Sequence, residues 1–168
     1  MKIGPHEEFE RFYHRHEVIV RRYVTGMLGD ADAAEDVVQE TWVRYLRYAE
    51  ASPPRFDRAL LLAVARNVVR TAWRRRRPEM PADLELGAEA PDPAVPFTDA
   101  VIMRDLVRRL PYADREVIVL HYALDWPLDD IASLLHLRPS TVKSRLYRAR
   151  QRLRAEFGTG EGSERGVD

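Results

Sequence analysis

LDDIASLLHLRPSTVKSRLYRARQRLR, Leu128–Arg154, is the stretch that decides the fold. Ile131, Ala132 and Leu135 make an apolar face on a short helix. A tight turn at His136–Arg138 follows, then Pro139, whose fixed φ suits the first position of a helix. Val142, Leu146, Ala149, Leu153 and Phe157 then recur at steps of four, three, four and four. Short helix, tight turn and longer helix together spell a helix-turn-helix. Between the apolar positions stand Thr141, Lys143, Ser144, Arg145, Tyr147, Arg148, Arg150, Arg152 and Arg154. Six Lys/Arg fall between Lys143 and Arg154, and the first acid is Glu156. A merely solvated helix would interleave glutamates for balance. This composition fits a helix that enters a DNA groove: hydroxyls and the helix N-terminus meet phosphates, and long cations reach base edges.

Upstream of this unit the same period continues. Helices are expected over roughly Asp99–Leu110 and Ala113–Tyr122, ahead of Leu128–Leu135 and Pro139–Phe157, with turns at Pro111 and Asp125–Pro127. Pro78–Pro96 holds five prolines among acidic and small residues; it reads as a flexible linker, and Gly158–Asp168 as a disordered tail. In the N-terminal half, Phe9, Phe12, His16, Ile19, Tyr23 and Met27 form one stripe, which Gly29 ends. Asp32 and Glu35 make an Asp-x-x-Glu capping signal for a second helix running to about Tyr48, with Val37, Val38, Trp42, Tyr45 and Leu46 apolar. Ala51–Arg55, with Pro53–Pro54, must be a loop. A third helix, about Asp57–Arg75, turns Leu60, Leu61, Val64, Ala65, Val68, Val69 and Ala72 inward. The fold class is therefore all-α: a bundle of three or four helices over 1–77, a linker over 78–98, a helix-turn-helix domain over 99–157 and a tail over 158–168.

Net charge is zero over 168 residues, with 27 basic and 27 acidic side chains, but the charge is segregated. Met1–Pro78 and Ala100–Phe157 each carry an excess of four positive charges, whereas Glu79–Asp99 has six acids and no base. Two basic blocks joined by an acidic connector offer two surfaces to a polyanion. Cysteine is absent, which excludes disulfides, thiolate metal sites, a cysteine nucleophile and an internal thiol switch. No signal peptide and no membrane span is expected, and the chain is expected in the cytoplasm.

The segment Leu110–Arg154, LPYADREVIVLHYALDWPLDDIASLLHLRPSTVKSRLYRARQRLR, resembles region 4 of extracytoplasmic-function (ECF) sigma factors, the domain that reads the −35 promoter element. The resemblance implies DNA contact by Thr141, Lys143, Ser144, Tyr147 and Arg148. Two departures stand out: His136 and Asp125 occupy turn positions where the family usually has glycine. Both sites then need a left-handed residue, which Asp and His tolerate better than most.

GDADAAEDVVQETWVRYLRY, Gly29–Tyr48, is similar to the region 2 helix that grips the clamp helices of the largest subunit of core RNA polymerase. The resemblance makes Asp36, Gln39, Glu40 and Thr41 the contact residues. LLLAVARNVVRTAWRRRR, Leu60–Arg77, resembles the element that reads the upstream edge of the opened −10 region. Arg66, Asn67, Arg70 and Arg74 lie along one strip, able to hold a backbone while Asn67 meets a base edge. The loop near Ser52–Phe56 would hold a flipped base. Leu60 stands where the family often has Trp, and its usual Phe is displaced by one residue, to Phe56. The family's members are usually held by an anti-sigma protein, so the resemblance implies that partner beside core polymerase and promoter DNA.

Enzyme chemistry has no support. The chain lacks a glycine-rich phosphate loop, a nucleophile elbow and a metal-spaced His/Asp cluster; His6, His14, His16, His121 and His136 are scattered. No catalytic residue, metal or cofactor is expected. The competing readings are a helix-turn-helix regulator that is not a polymerase subunit and a sigma-like decoy. A regulator would need a ligand pocket, a phosphoacceptor Asp or a dimerisation helix in its first domain.

Overall fold

The computed structural model describes residues 5–50, 56–76 and 99–160, and those residues are helices and short turns. The chain divides into two compact units, Met1–Met80 and Pro81–Asp168. The expected loop Ala51–Arg55 and linker Pro78–Pro96 lie outside the described residues, as does the tail beyond 160.

The first unit is a three-helix bundle among the described residues: α1 Pro5–Leu28, α2 Ala31–Glu50 and α3 Arg58–Arg76. Gly29 closes α1 at φ 72°, its N–H donating to the Thr25 carbonyl at 2.8 Å. Any side chain would be strained in that left-handed conformation. The cap of α2 is Asp30, not Asp32: its carboxylate accepts from the Asp32 and Ala33 N–H groups at 3.0 and 3.4 Å. Asp32 already lies inside the helix, and Glu35 instead pairs across to Arg21 on α1.

The buried stripe of α1 is broader than a single line. Phe12, His16, Tyr23 and Met27 are buried, Phe9 and Ile19 are half-covered, and Val20 and Val24 are fully enclosed. A helix packed against two neighbours must bury both flanks of its stripe. In α3 the buried set is Leu61, Leu62, Val64, Ala65, Val68 and Val69. Leu60, expected inside, is 37% exposed, and Leu62 takes the inward position. One end of the bundle is aromatic. Phe12 stacks on Tyr45 with ring centres 5.3 Å apart, Trp42 packs edge-on to Phe12, and Phe56 closes over Phe9 and Phe12. Each such pair adds to simple area burial through the ring quadrupoles.

The second unit contains α4 Asp99–Arg109, α5 Tyr112–Ile118, α6 Leu128–Leu135 and α7 Pro139–Gly160. The end of α5 widens into one π-turn, Val119–Ala123, where Leu124 N–H reaches back five residues to Val119 at 3.2 Å. The helix expected over Ala113–Tyr122 is therefore not uniform. Asp125 and His136 both have φ 55°, as the substitution of the family's turn glycines implies. His136 closes α6 in the left-handed region, and Leu137 N–H then returns to the Ala132 carbonyl at 2.9 Å. Arg115, buried in α5, donates to the carbonyls of Arg108 and Leu110, which the end of α4 would otherwise leave without donors. Arg109 joins Asp105 at 3.0 Å and Glu156 at 3.5 Å, tying α4 to the far end of α7.

Candidate nucleic-acid interface

The helix-turn-helix is α6, the His136–Arg138 turn and α7. Ile131, Ala132 and Leu135 of α6 and Val142, Leu146 and Ala149 of α7 are buried where α6 and α7 pack on each other, with α5 and its π-turn, which carry the buried Val117 and Leu120, packed beside them. With these side chains turned inward, the helical period fixes the opposite face of α7. Lys143, Ser144, Tyr147 and Arg148 stand exposed on it, Tyr147 to 63%. Thr141 is half-covered at its edge. Ser144 donates its hydroxyl back to the Ser140 carbonyl at 3.0 Å, which leaves its lone pairs outward. Arg150 lies over the exposed Tyr122 ring, 5.5 Å from its centre, so it belongs to the flank of the helix.

One anchor of this helix, which holds two of its arginines, escaped the sequence. Asp114 on α5 is buried, and its carboxylate faces Arg148 at 3.7 Å and Arg152 at 3.8 Å. Local periodicity holds no signal for a pair so distant in the chain. A signal of another kind was available: Asp114, Arg115 and Glu116 are three consecutive charges inside an otherwise apolar helix, and all three are buried.

In the first unit, Arg66, Asn67, Arg70 and Arg74 share the face of α3 that points away from the bundle. Asn67 and Arg74 are exposed, and Arg66 and Arg70 are half-covered. Thr71 donates to the Asn67 backbone carbonyl at 2.9 Å, and the Asn67 side chain is exposed. Phe56, proposed by position for the base-flipping loop, has its ring in the aromatic cluster instead. The rest of that loop lies outside the described residues.

On α2, Asp36, Gln39 and Glu40 are exposed together with Val43, which is 45% exposed and completes a polar face with an apolar centre. Thr41 does not belong to this face. It is fully buried, and its hydroxyl donates to the Val37 carbonyl at 2.7 Å. The physical reason is angular: the helical turn puts position 41 between Val37 and Tyr45 on the core side. Glu40 accepts from Arg44 at 2.6 Å, whereas Asp36 has no ion-pair partner among the described residues. A shallow cleft next to this face runs between α2 and α3, edged by Asp36, Glu40, Arg44, Thr71 and Arg75. Glu35, one turn earlier, is held below the usual carboxylate range by its hydrogen bond and charge pairing with Arg21.

A two-domain helical chain with a helix-turn-helix at its end and an exposed basic strip on its first bundle is the architecture of a sigma-70-type transcription factor. Residues 12–79 match the family described as Sigma-70 region 2, and residues 100–153 match Sigma-70, region 4. The ECF RNA polymerase sigma factor SigL of Mycobacterium tuberculosis is 35% identical over 149 residues, covering 84% of each chain. Two solved structures share the fold. One is the sigma factor RpoE of Bartonella quintana in complex with the anti-sigma factor NepR, with TM-score 0.69, 24% identity, and coverage of 89% of this chain and 96% of that one. The other is CnrH with the cytosolic domain of CnrY, with TM-score 0.70, 25% identity, and coverage of 93% and 91%. The chain belongs to the ECF RNA polymerase sigma factors. It directs RNA polymerase to promoters and so initiates transcription. No helix among the described residues is long and apolar enough to cross a membrane.

Proposed function

We infer that three outward helix faces divide the work of promoter recognition. The α2 face with Asp36, Gln39 and Glu40 meets the clamp helices of the largest subunit of core RNA polymerase. The α3 strip of Arg66, Asn67, Arg70 and Arg74 follows the opened −10 region, with three cations for the backbone and one amide for a base edge. The α7 face with Lys143, Ser144, Tyr147 and Arg148, edged by Thr141, enters the major groove at the −35 element. Residues 1–77 then act as region 2 and 99–157 as region 4. The observation that carries this reading is geometric: each polar set lies opposite the buried stripe of its own helix, where a partner can reach it.

The protein works in the cytoplasm as a non-catalytic subunit, without metal or cofactor. An anti-sigma protein holds it inactive, as the family resemblance implies; the sigma factor RpoE of similar fold is seen in complex with the anti-sigma factor NepR. Run-off transcription by core polymerase with this chain on a genomic fragment library tests the reading. Promoter-specific transcripts are expected. Binding to core without transcripts would make the chain a decoy, and DNA binding without core binding would make it a separate regulator.

A further inference from the structure

We propose that Asp114 is a positioning residue for base recognition: it sets the orientation of Arg148 on α7 without itself touching DNA. The proposal rests on the reading of α7 as the −35 helix. Asp114 sits in the first turn of α5, and only 5% of its side chain is exposed. A carboxylate that deep needs compensating charge close by. Arg148 and Arg152, one turn apart on α7, supply it from either side, with Oδ1 at 3.7 Å from Arg148 Nη2 and Oδ2 at 3.8 Å from Arg152 Nη1. The two arginines differ in exposure. The Arg152 side chain is 38% exposed, while Arg148 is 58% exposed and stands beside Tyr147 and Ser144 on the outward face. Arg148 is thus tethered at its head and open along its flank.

The tether has two consequences. An arginine on a free stem takes any phosphate within reach, whereas one held from below presents its planar fork in a fixed direction, as a bidentate base contact requires. The buried carboxylate also offsets part of the α7 charge that would otherwise bind backbone of any sequence. Asp114 thereby favours correct sites and weakens wrong ones with one group.

The full chain, assembled with core polymerase, is tested on promoter duplexes with a randomised −35 element. Wild type, Asp114→Asn, Arg148→Ala and the double variant are compared, with thermal melting of each. Asp114→Asn and Arg148→Ala are expected to flatten preference at the same base position, by about tenfold for a bidentate contact. The double variant is expected to be no flatter than Arg148→Ala. On non-cognate duplex, Asp114→Asn is expected to bind more tightly, with a salt slope steeper by about 0.9 for one further phosphate contact. A uniform loss of affinity, with base preference and salt slope unchanged, would reduce Asp114 to a structural carboxylate and overturn the proposal. Preference retained in Arg148→Ala would overturn the reading of Arg148 itself, and the proposal with it. Preference lost in Arg148→Ala but kept in Asp114→Asn would overturn the proposal alone. If Asp114→Asn does not fold, Asp114→Glu replaces it, with the charge kept and the arm lengthened. Altered preference at the Arg148 position is then expected, and wild-type preference overturns the proposal.

Discussion

The Tyr45 hydroxyl clasps both backbone polar groups of Asp57, accepting from its N–H at 2.9 Å and donating to its carbonyl at 3.3 Å. Asp57 in turn caps α3, its carboxylate accepting from Ala59 N–H at 2.8 Å. One phenol therefore joins the core of α2 to the first turn of α3, and burial pushes its own ionisation above the ordinary tyrosine range. Tyr45→Phe keeps the ring stack on Phe12 and deletes only the clasp. Chemical denaturation should show a loss of about 1 kcal/mol, typical of a hydrogen bond with a partly buried backbone partner. Amide exchange should accelerate first near Asp57 and Ala59. Uniform acceleration through the bundle would count against a local role.

The start of α2 gives a sharper comparison between neighbouring acids. Asp30→Ala removes the side chain that accepts from two backbone N–H groups and should destabilise the protein by about 1 kcal/mol. Asp32→Ala loses only a favourable charge near the helix N-terminus and should cost about 0.5 kcal/mol or less. Urea unfolding of both variants checks the order, and a larger loss for Asp32→Ala would reassign the cap.

His136 and Asp125 occupy left-handed backbone at φ 55°. Glycine removes the steric penalty of such a site, about 1 kcal/mol, less the extra freedom it gives the unfolded chain. His136→Gly should raise the melting temperature slightly, and His136→Val should lower it clearly, since a β-branched residue is least tolerant there. Differential scanning calorimetry on the full chain reads both. A neutral His136→Val variant would mean that the turn relaxes out of the left-handed region.

For polymerase binding, the exposed and buried members of the α2 segment should separate. Asp36→Lys with Glu40→Lys is expected to weaken co-purification with core polymerase by about tenfold or more, because like charges set against a complementary face cost several kcal/mol. Glu40→Lys also breaks the pair with Arg44, so Asp36→Lys alone is the cleaner variant. Thr41→Val should leave core affinity unchanged and alter only stability, since the hydroxyl is spent on the Val37 carbonyl. A binding defect in Thr41→Val without loss of helicity would restore Thr41 to the interface.

The Arg21–Glu35 pair predicts a pH dependence with a definite sign. Glu35 is depressed in the folded state, first by the hydrogen bond from Arg21 and then by its charge. Its contribution to stability is therefore complete above the unfolded carboxylate value of about 4.3 and fades as pH falls through the lower folded value. Glu35→Gln should be less stable than wild type at pH 7, and the two should converge in acid. The pair is exposed on both sides, so added salt should shrink the difference at neutral pH. A gap that persists at low pH would indicate a packing role for Glu35.

The sequence by itself determined the elements and their outward faces. Helical period is a local property, so positions three and four apart declare a common face before any neighbour is known. That suffices for the helix-turn-helix, the Arg66–Arg74 strip and the Asp36–Glu40 face; Gly29 marks the end of α1 by its residue type, and the left-handed turns at Asp125 and His136 followed from the family resemblance. Tertiary structure alone decided how wide each buried stripe is and which charges meet beneath the surface. Leu60 is outside because neighbouring helices set the edge of the α3 stripe, whereas Thr41 is inside by the helical period that already carries Val37 and Tyr45. That Asp30 rather than Asp32 caps α2 is a local matter, following from the end of α1 at Gly29, which fixes where the next helix begins. Phe56 joins Phe9 and Phe12, and Asp114 meets Arg148 and Arg152, through contacts between segments far apart in the chain. Such pairings depend on how whole helices dock, and a period read along one helix carries no information about the face of another.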